Sequence, residues 1–387
     1  MSSLNIVRGI RTCIQNQLLP SVPSRWRAQL LFGLQAYGLR AFQSASGNAR
    51  MVVANAHTGI RKAERLFKNT AFTGQLGGVF DELGLVKPRS YVNVDHSDMH
   101  GLTALVGAVQ TRKGRALPCL VEATYAHHIP AHEDAAPHWR KLRVAMKAAR
   151  KQQTFTEHTV TSLQGLADRL AFWPRLVFDR GFGNKTIVTY LHEAGAAFYI
   201  RLKAGRYVEC DGEKTEVKTL GDRDATVQLY GLTLRVIRSP KSRRAKEPWY
   251  ILTNDFKSSR TKIIRIYYHR FEIEETFRDI KHIFEYKRTR LTKPDNLKLI
   301  LWLVSLGIAL LYLATRPTKQ TVAQGNPKKQ ISWLRQAYEQ LQQELAELAW
   351  GGVGCEVVQP KNLDGIRSIL YNVFRSVLLA TARKRSD

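Results

Sequence analysis

Three carboxylates in this sequence could act together in metal-dependent phosphoryl transfer, although they lie far apart along the chain. Asp95 and Asp179 each come at the end of a strand-like run, and Glu274 lies in a helical segment. Two-metal phosphoryl transfer needs carboxylates that converge around ions about 3.5 to 4 Å apart, and Mg²⁺ prefers such oxygen ligands. We therefore predict that these three residues are catalytic and bind two Mg²⁺ ions, with Mn²⁺ able to substitute.

Each aspartate alone is a weak signal, because an Asp that closes a strand more often forms a turn or caps a helix. Adjacent strand ends would nevertheless bring Asp95 and Asp179 together. The two-residue period of a strand also puts Asp95 on the same face as Tyr91 and Asn93. Asp98 competes for the first position, but its three additional residues predict a place in the following turn.

A row of polar side chains marks the helical segment that carries Glu274. We predict one long helix from a cap at Ser258 or Ser259 to about Tyr286. At about 100° per residue, one face of this helix holds five polar groups, which are Tyr267, Arg270, Glu274, Arg278 and Lys281. An apolar stripe lies beside this face, so the helix can pack on a sheet and still present its charges to a cleft. A solvated face with i, i+4 ion pairs is the alternative, but the tyrosine and the second cation favour phosphate binding.

The charge balance indicates a polyanionic partner. The chain has 387 residues, with 60 Lys and Arg against 32 Asp and Glu, and a formal net charge of +28. Its 44% hydrophobic content is that of a folded protein rather than a disordered basic tail. Charge alone also fits a ribosomal protein or a membrane-surface binder, so it proposes nucleic acid without saying what is done to it.

Changes in pattern divide the chain into five segments. Residues 1–88 read as a basic helical DNA-binding domain. Residues 89–204 combine a three-strand meander with alternating helices and strands, which indicates an α/β core. A β-rich insertion is predicted over residues 205–255, and the catalytic helix with a packing helix over residues 256–315. Residues 316–387 are predicted to be helical and could mediate dimer contacts.

Other features restrict the setting. The four cysteines show no paired spacing of the kind that zinc sites have, and a reduced, cytoplasmic setting fits best. The apolar stretch at 299–314 falls short of the roughly 20 residues that a spanning helix needs, so we predict a buried core helix and no membrane partner. Four histidines could suggest a metal site, which are His127, His128, His132 and His138. We disfavour this site because Pro130 interrupts any helix that would align the first three.

The motifs resemble those of a known family, the DDE transposases of the insertion-sequence-four group, which includes the transposon-five enzyme. Its signature is Tyr, two residues, Arg, three residues, Glu, six residues, Lys. The signature is matched by Tyr267, Arg270, Glu274 and Lys281. The segments around Asp95 and Asp179 look like its two aspartate motifs, and the resemblance extends over about residues 90–312.

This resemblance implies an RNase H-like catalytic core with a β-rich insertion and helical terminal regions. It implies a homodimer that pairs two transposon ends on double-stranded DNA, cleavage through a DNA hairpin, and strand transfer into target DNA on the bacterial nucleoid. In relatives the Tyr, Arg and Lys of the signature hold phosphates at the transposon end. A tryptophan in the insertion stacks on a flipped base, and Trp249 looks like the matching residue, although a core tryptophan is an equal alternative.

Two further expectations concern the same DNA. The basic run that contains Arg243 and Arg244 is predicted to contact phosphates, with a solubilising turn as its alternative. Two rival functions also remain open: an RNase H-like nuclease without strand transfer, and a catalytically inactive DNA-binding protein derived from a transposase. Joined DNA products would exclude the first, and metal-dependent cleavage would exclude the second.

Overall fold

The computed structural model describes residues 5–53, 55–99, 101–126, 137–221, 224–240, 247–286, 291–316 and 332–350. By its internal contacts the chain divides into two compact units. The first comprises Met1–Gly84, Asp98–Ala104 and Glu275–Asp387, and the second comprises Leu85–Ser97 and Leu105–Glu274. These units cut across the five segments expected from the sequence, whose boundaries stay a prediction.

Ten strands form one mixed sheet. They are β1 (Tyr91–Met99), β2 (Leu102–Val109), β3 (Leu117–Tyr125), β4 (Arg175–Phe178), β5 (Phe198–Leu202), β6 (Tyr207–Cys210), β7 (Glu213–Glu216), β8 (Asp224–Leu229), β9 (Leu232–Arg238) and β10 (Tyr250–Thr253). Their order across the sheet is β3-β2-β1-β4-β5-β10-β9-β8-β6-β7. The pairs β1 with β4 and β4 with β5 are parallel. The first three strands are consecutive neighbours, as the predicted meander requires.

The expected β-rich insertion extends this sheet. Strand β10 pairs antiparallel with β5, where Ile251 lies opposite Arg201, and it pairs antiparallel with β9 on its other side. Strands β9, β8, β6 and β7 continue outward, again in antiparallel pairs. Alternating burial along β8 shows one face packed and one face exposed, which is usual for antiparallel strands, whereas Val236 and Ile237 of β9 are both buried.

Thirteen helices accompany the sheet in the described part of the chain. They are α1 (Asn5–Cys13), α2 (Leu19–Ser21), α3 (Ser24–Gly33), α4 (Ala45–Arg50), α5 (Ala56–Lys68), α6 (Thr70–Asp81), α7 (Pro137–Gln152), α8 (Phe155–Leu170), α9 (Lys185–Glu193), α10 (Arg260–Tyr268), α11 (Phe271–His282), α12 (Pro294–Thr315) and α13 (Trp333–Trp350). Side-chain caps begin several of them. Thr154 and Glu157 form a capping box on α8, and Asn184 accepts a hydrogen bond from the backbone N–H of Ile187 on α9.

Helix α12 is the buried helix that the sequence predicts, but it is longer than expected. It has 22 residues, so by length and composition it could cross a membrane, and the length argument made from the sequence does not hold. Its burial favours a core helix over a membrane span, because 78% of its most apolar window is buried inside the protein. At Gly307 the helix packs closely on the π-helical turn Leu34–Gly38, where an added Cβ would lie 1.9 Å from the carbonyl oxygen of Gly38.

The predicted catalytic helix is two helices rather than one. Helix α10 begins after Ser259, whose side chain accepts a hydrogen bond from the backbone N–H of Lys262, as one of the two predicted caps requires. It ends at Tyr268, and α11 begins at Phe271. A tight turn joins the two helices, and in it the N–H of Arg270 donates to the carbonyl of Tyr267 over 3.0 Å. The continuous polar row predicted from one helical wheel is therefore wrong at this junction.

Candidate active site

Strand register places the two candidate aspartates side by side. Val94 of β1 is paired in parallel with Phe178 of β4. Asp95 follows Val94 in the chain, and Asp179 follows Phe178. Strand β1 continues to Met99, so Asp95 lies within a strand and not at its end. Asp179 follows Phe178, the last residue of β4, and precedes a 3-10 turn at Arg180–Phe182. Both side chains are half-buried.

Alternate residues of β1 meet the segment from α10 to α11 in succession. Tyr91 belongs to a buried cluster that also contains Ile266 and Tyr267. The side-chain amide of Asn93 donates to the carbonyl oxygen of His269 over 3.0 Å. Asp95 follows on the same face, as the two-residue period predicts. Asn93 therefore fixes the junction between the two helices against the strand that carries Asp95.

A buried guanidinium joins two of the three candidate carboxylates. Nη1 of Arg270 lies 3.3 Å from Oδ2 of Asp95, and its Nη2 donates to Oε1 of Glu274. The Arg270 side chain is 4% exposed, against 20% for Asp95 and 44% for Glu274. A buried cation needs such partners, because an unpaired charge away from water is costly.

The electrostatic environment of Asp95 links all three carboxylates. Burial raises the pKa of Asp95 to about 6, although Arg270 and the backbone N–H of His96 lower it. Repulsion from Asp179 and Glu274 raises the same pKa further. The three carboxylates are therefore close enough to sense one another, and strongly perturbed carboxyl groups of this kind are typical of functional sites.

The donor types of this cluster fit a divalent ion, since all three side chains offer carboxylate oxygens. Desolvation and mutual repulsion leave Asp95 in need of positive charge, which Arg270 supplies in the present arrangement. Among the described residues no group of three or more His, Cys, Asp or Glu side chains is arranged to hold a metal ion. In the present arrangement Arg270 pairs with Asp95 and Glu274, and metal binding by Asp95, Asp179 and Glu274 stays a prediction.

Aromatic rings surround the guanidinium. Arg270 lies 5.7 Å from the ring centroid of Tyr267 and 5.0 Å from that of Phe271. The ring of Trp249 lies 5.3 Å from that of Tyr267 and 5.7 Å from that of Phe271. Trp249 is half-buried and packs against the core cluster, so part of its surface has a structural use. Burial raises the pKa of the Tyr267 phenol, so this hydroxyl is protonated at neutral pH.

The remaining predicted residues lie elsewhere. Arg278 and Lys281 belong to the first unit, where the exposed Arg278 pairs with Glu275 over 2.7 Å and Lys281 is half-buried. Asp98 is in β1 rather than in a turn, and it accepts a hydrogen bond from the hydroxyl of Thr103. Arg243 and Arg244 lie outside the described residues, as do His127, His128 and His132, and the side chain of His138 is likewise not described.

Two contributors to the site were missed from the sequence. The ring of His96 stacks on that of Phe182 with centroids 4.6 Å apart, which ties the strand of Asp95 to the turn after Asp179. Glu272 is buried and accepts backbone N–H groups of Thr111 and Arg112 at 2.9 and 3.2 Å. Its position two residues before Glu274 was visible in the sequence, but its partners lie in a distant turn.

Comparison with known proteins gives one family match. Residues 149–311 match the family model described as the transposase DDE domain. The match covers somewhat less than half of the chain, and it includes Asp179 and Glu274 but begins after Asp95. No curated protein gives a significant match. The family match supports a DDE transposase, which is an enzyme that acts on DNA.

Proposed function

We propose that this protein is a DNA transposase similar to the insertion-sequence-four group, with an RNase H-like core and a catalytic set of Asp95, Asp179 and Glu274. One observation carries the proposal: the buried Arg270 pairs with Asp95 and Glu274, and Asp179 follows the strand that pairs in parallel with the strand of Asp95. The strand order β3-β2-β1-β4-β5, with β1, β4 and β5 parallel, supports the core assignment. The family match supports the reaction class.

In the proposed reaction Asp95, Asp179 and Glu274 would hold two divalent metal ions, Mg²⁺ or Mn²⁺. Bound Mg²⁺ supplies Lewis-acid charge for the leaving oxygen and lowers the pKa of an attacking water. Water then breaks the phosphodiester bond at the transposon end and frees a 3′-hydroxyl. That hydroxyl attacks the opposite strand to form a hairpin, and after reopening it attacks target DNA, with one P–O bond formed for each one broken.

The cations and aromatic groups near the carboxylates hold DNA in this proposal. Arg270 and Tyr267 bind phosphates beside the cut, and Lys281, Arg278, Arg243 and Arg244 bind other DNA phosphates. Phosphate contacts of this kind fix the position of DNA without reading its sequence. Trp249 stacks on an extruded base, because the unpacked part of its ring can replace lost base stacking. The protein acts as a homodimer in the bacterial cytoplasm.

The test is a cleavage assay with the purified full chain, Mg²⁺ and DNA that carries the element's own ends. The wild type is compared with Glu274→Ala and with Glu275→Ala as a matched control. The control removes the neighbouring carboxylate, which pairs with Arg278. We expect nicked, hairpin and joined products from the wild type and the control, and a loss of at least about 100-fold with Glu274→Ala, since metal and charge effects of this type are worth several kcal/mol.

Each rival predicts a different pattern. Nicked products without joined products would leave a nuclease that lacks strand transfer. Binding of the ends by all three proteins with no cutting would leave an inactive DNA-binding protein. Equal activity of the wild type and Glu274→Ala would show that the catalytic carboxylate has been assigned wrongly.

A further inference from the structure

A basic cleft begins at the residue after Asp179, within the same unit as the candidate catalytic carboxylates. Its volume is about 610 Å³. One aromatic residue and four cations line it, together with small or neutral residues. None of its lining residues is acidic. The charged and aromatic members are Arg180, Lys203, Arg206, Tyr207 and Lys214.

The cleft is already organised. Nη2 of Arg206 donates to the carbonyl oxygen of Gly183 over 3.0 Å and also contacts the hydroxyl of Tyr230. The Tyr230 hydroxyl donates to the same carbonyl over 3.0 Å. The Arg206 guanidinium lies 5.3 Å from the centroid of the Tyr230 ring. One wall is therefore fixed to the loop that follows Asp179, so a ligand does not have to order it.

The other cations remain available to a ligand. Arg180, Lys203 and Lys214 form no ion pair among the described residues, and all three are exposed. Glu209 lies opposite Lys214 in the pairing of β6 with β7, but four cations and no carboxylate line the cleft itself, and a polyanion relieves the repulsion among those cations.

An exposed ring gives the cleft a second kind of contact. Tyr207 is 51% exposed, and the ammonium of Lys214 lies 5.2 Å from its ring centroid. Such a face can stack on a nucleobase, but only on a base that is outside a duplex stack. The combination of cations and an aromatic face is the chemistry of single-strand binding grooves.

We infer that this cleft binds an unpaired segment of the DNA strand adjoining the cut, with its phosphates on Arg180, Lys203, Arg206 and Lys214 and a base on Tyr207. The inference rests on the proposed function, because Arg180 of the cleft follows the candidate catalytic residue Asp179, so that DNA in the cleft would adjoin the cut. Neither the three carboxylates nor the signature residues of α10 and α11 form part of the cleft.

The test measures fluorescence anisotropy of a labelled 20-nucleotide single strand and of its duplex, in EDTA and over a range of salt. The double variant Lys203→Ala with Lys214→Ala removes two cleft cations. Its matched control is Lys257→Ala with Lys262→Ala, two exposed lysines of the same unit outside the cleft. Each lost phosphate contact should reduce the salt slope for a single strand by about 0.7. We therefore expect a reduction of about 1.4 for the cleft variant and little change for the control.

Two single variants test the other contacts. Tyr207→Ala should weaken single-strand binding at least about fivefold, because base stacking is lost. Gly181→Val tests space, since a Cβ at Gly181 meets no protein atom within 4 Å and the fold should tolerate it. Thermal unfolding of Gly181→Val is measured beside binding, so that weaker single-strand binding at unchanged stability reports a blocked cleft.

The outcomes separate this inference from the proposed function. Equal losses in the cleft variant and the lysine control would overturn the inference, as would an effect confined to duplex DNA. A wild type that cuts DNA while its cleft variants bind normally would overturn the inference alone. A wild type that binds a single strand through the cleft but never cuts would keep the inference and overturn the proposed catalysis.

Discussion

The ring of His96 lies parallel to the ring of Phe182, with an interplanar angle of 7° and centroids 4.6 Å apart. His96 follows Asp95, and its backbone N–H donates to Oδ1 of that residue over 2.8 Å. Phe182 ends the turn that begins after Asp179. The stack therefore connects the residue after Asp95 with the turn after Asp179. The ring of Phe155 also packs against the His96 ring.

The first prediction concerns this stack. Phe182→Leu keeps an apolar side chain but loses the parallel ring, so we expect cleavage to slow by about tenfold as the aspartates lose alignment. Phe72→Leu, a buried phenylalanine of the first unit, is the control for the cost of repacking. Thermal unfolding of both variants and single-turnover cleavage are measured together. Equal slowing in both variants would assign the effect to lost stability and not to positioning.

The second prediction concerns pH. Burial raises the pKa of Asp95 from 3.8 to about 6 in the folded chain. A raised carboxyl pKa means that the folded state binds the proton more tightly, so this contribution to stability is present below pH 3.8 and is lost as pH rises through about 6. The difference is worth at most about 3 kcal/mol. Asp95→Asn should therefore be more stable than the wild type at pH 8 in EDTA.

Urea unfolding at pH 5 and pH 8 checks this expectation. The stability difference between Asp95→Asn and the wild type should grow from pH 5 to pH 8. A difference that stays constant across this range would show that Asp95 does not titrate there.

The third prediction concerns Arg270. Arg270→Ala leaves Asp95 and Glu274 without their shared cation, and breaking a buried ion pair costs about 3 to 5 kcal/mol. Because Glu274 is 44% exposed, we expect a loss near the lower end, about 3 kcal/mol, in EDTA at pH 8. Mg²⁺ should restore part of this loss, because it binds the folded state and supplies positive charge.

Chemical unfolding with EDTA or with Mg²⁺ measures this effect, and Arg278→Ala is the exposed-arginine control. A variant of Arg270 whose stability does not respond to Mg²⁺ would argue against metal binding by these carboxylates.

The fourth prediction concerns the close approach at Gly307. Gly307→Ala places a Cβ against the Gly38 carbonyl and should cost at least about 1 to 3 kcal/mol. Gly74→Ala is the matched control in α6, because its Cβ meets nothing within 4 Å and should raise stability by about 0.4 to 1 kcal/mol. Opposite shifts in melting temperature are expected, and a neutral Gly307→Ala would show that the helices can separate without cost.

Local pattern was enough to place some residues and not others. Asp95 and Asp179 each come after an apolar strand-like run that is visible in the sequence, so their neighbourhood was predictable. The break at His269 was not predictable, because its carbonyl is bonded to Asn93, which lies 176 residues away. The outer strands were recognised as strands, but their pairing with β5 depends on long-range contacts that no local pattern contains.

The alternate side chains of β1 fix the position of Asp95 relative to α10 and α11. Tyr91, Asn93 and Asp95 meet the core cluster, the helix junction and Arg270 in turn. Deleting one residue between Ser90 and Asp95 would reverse which side chains face the helices, because strands alternate with a period of two. The length of this short segment is therefore as strictly constrained as the identity of its aspartate.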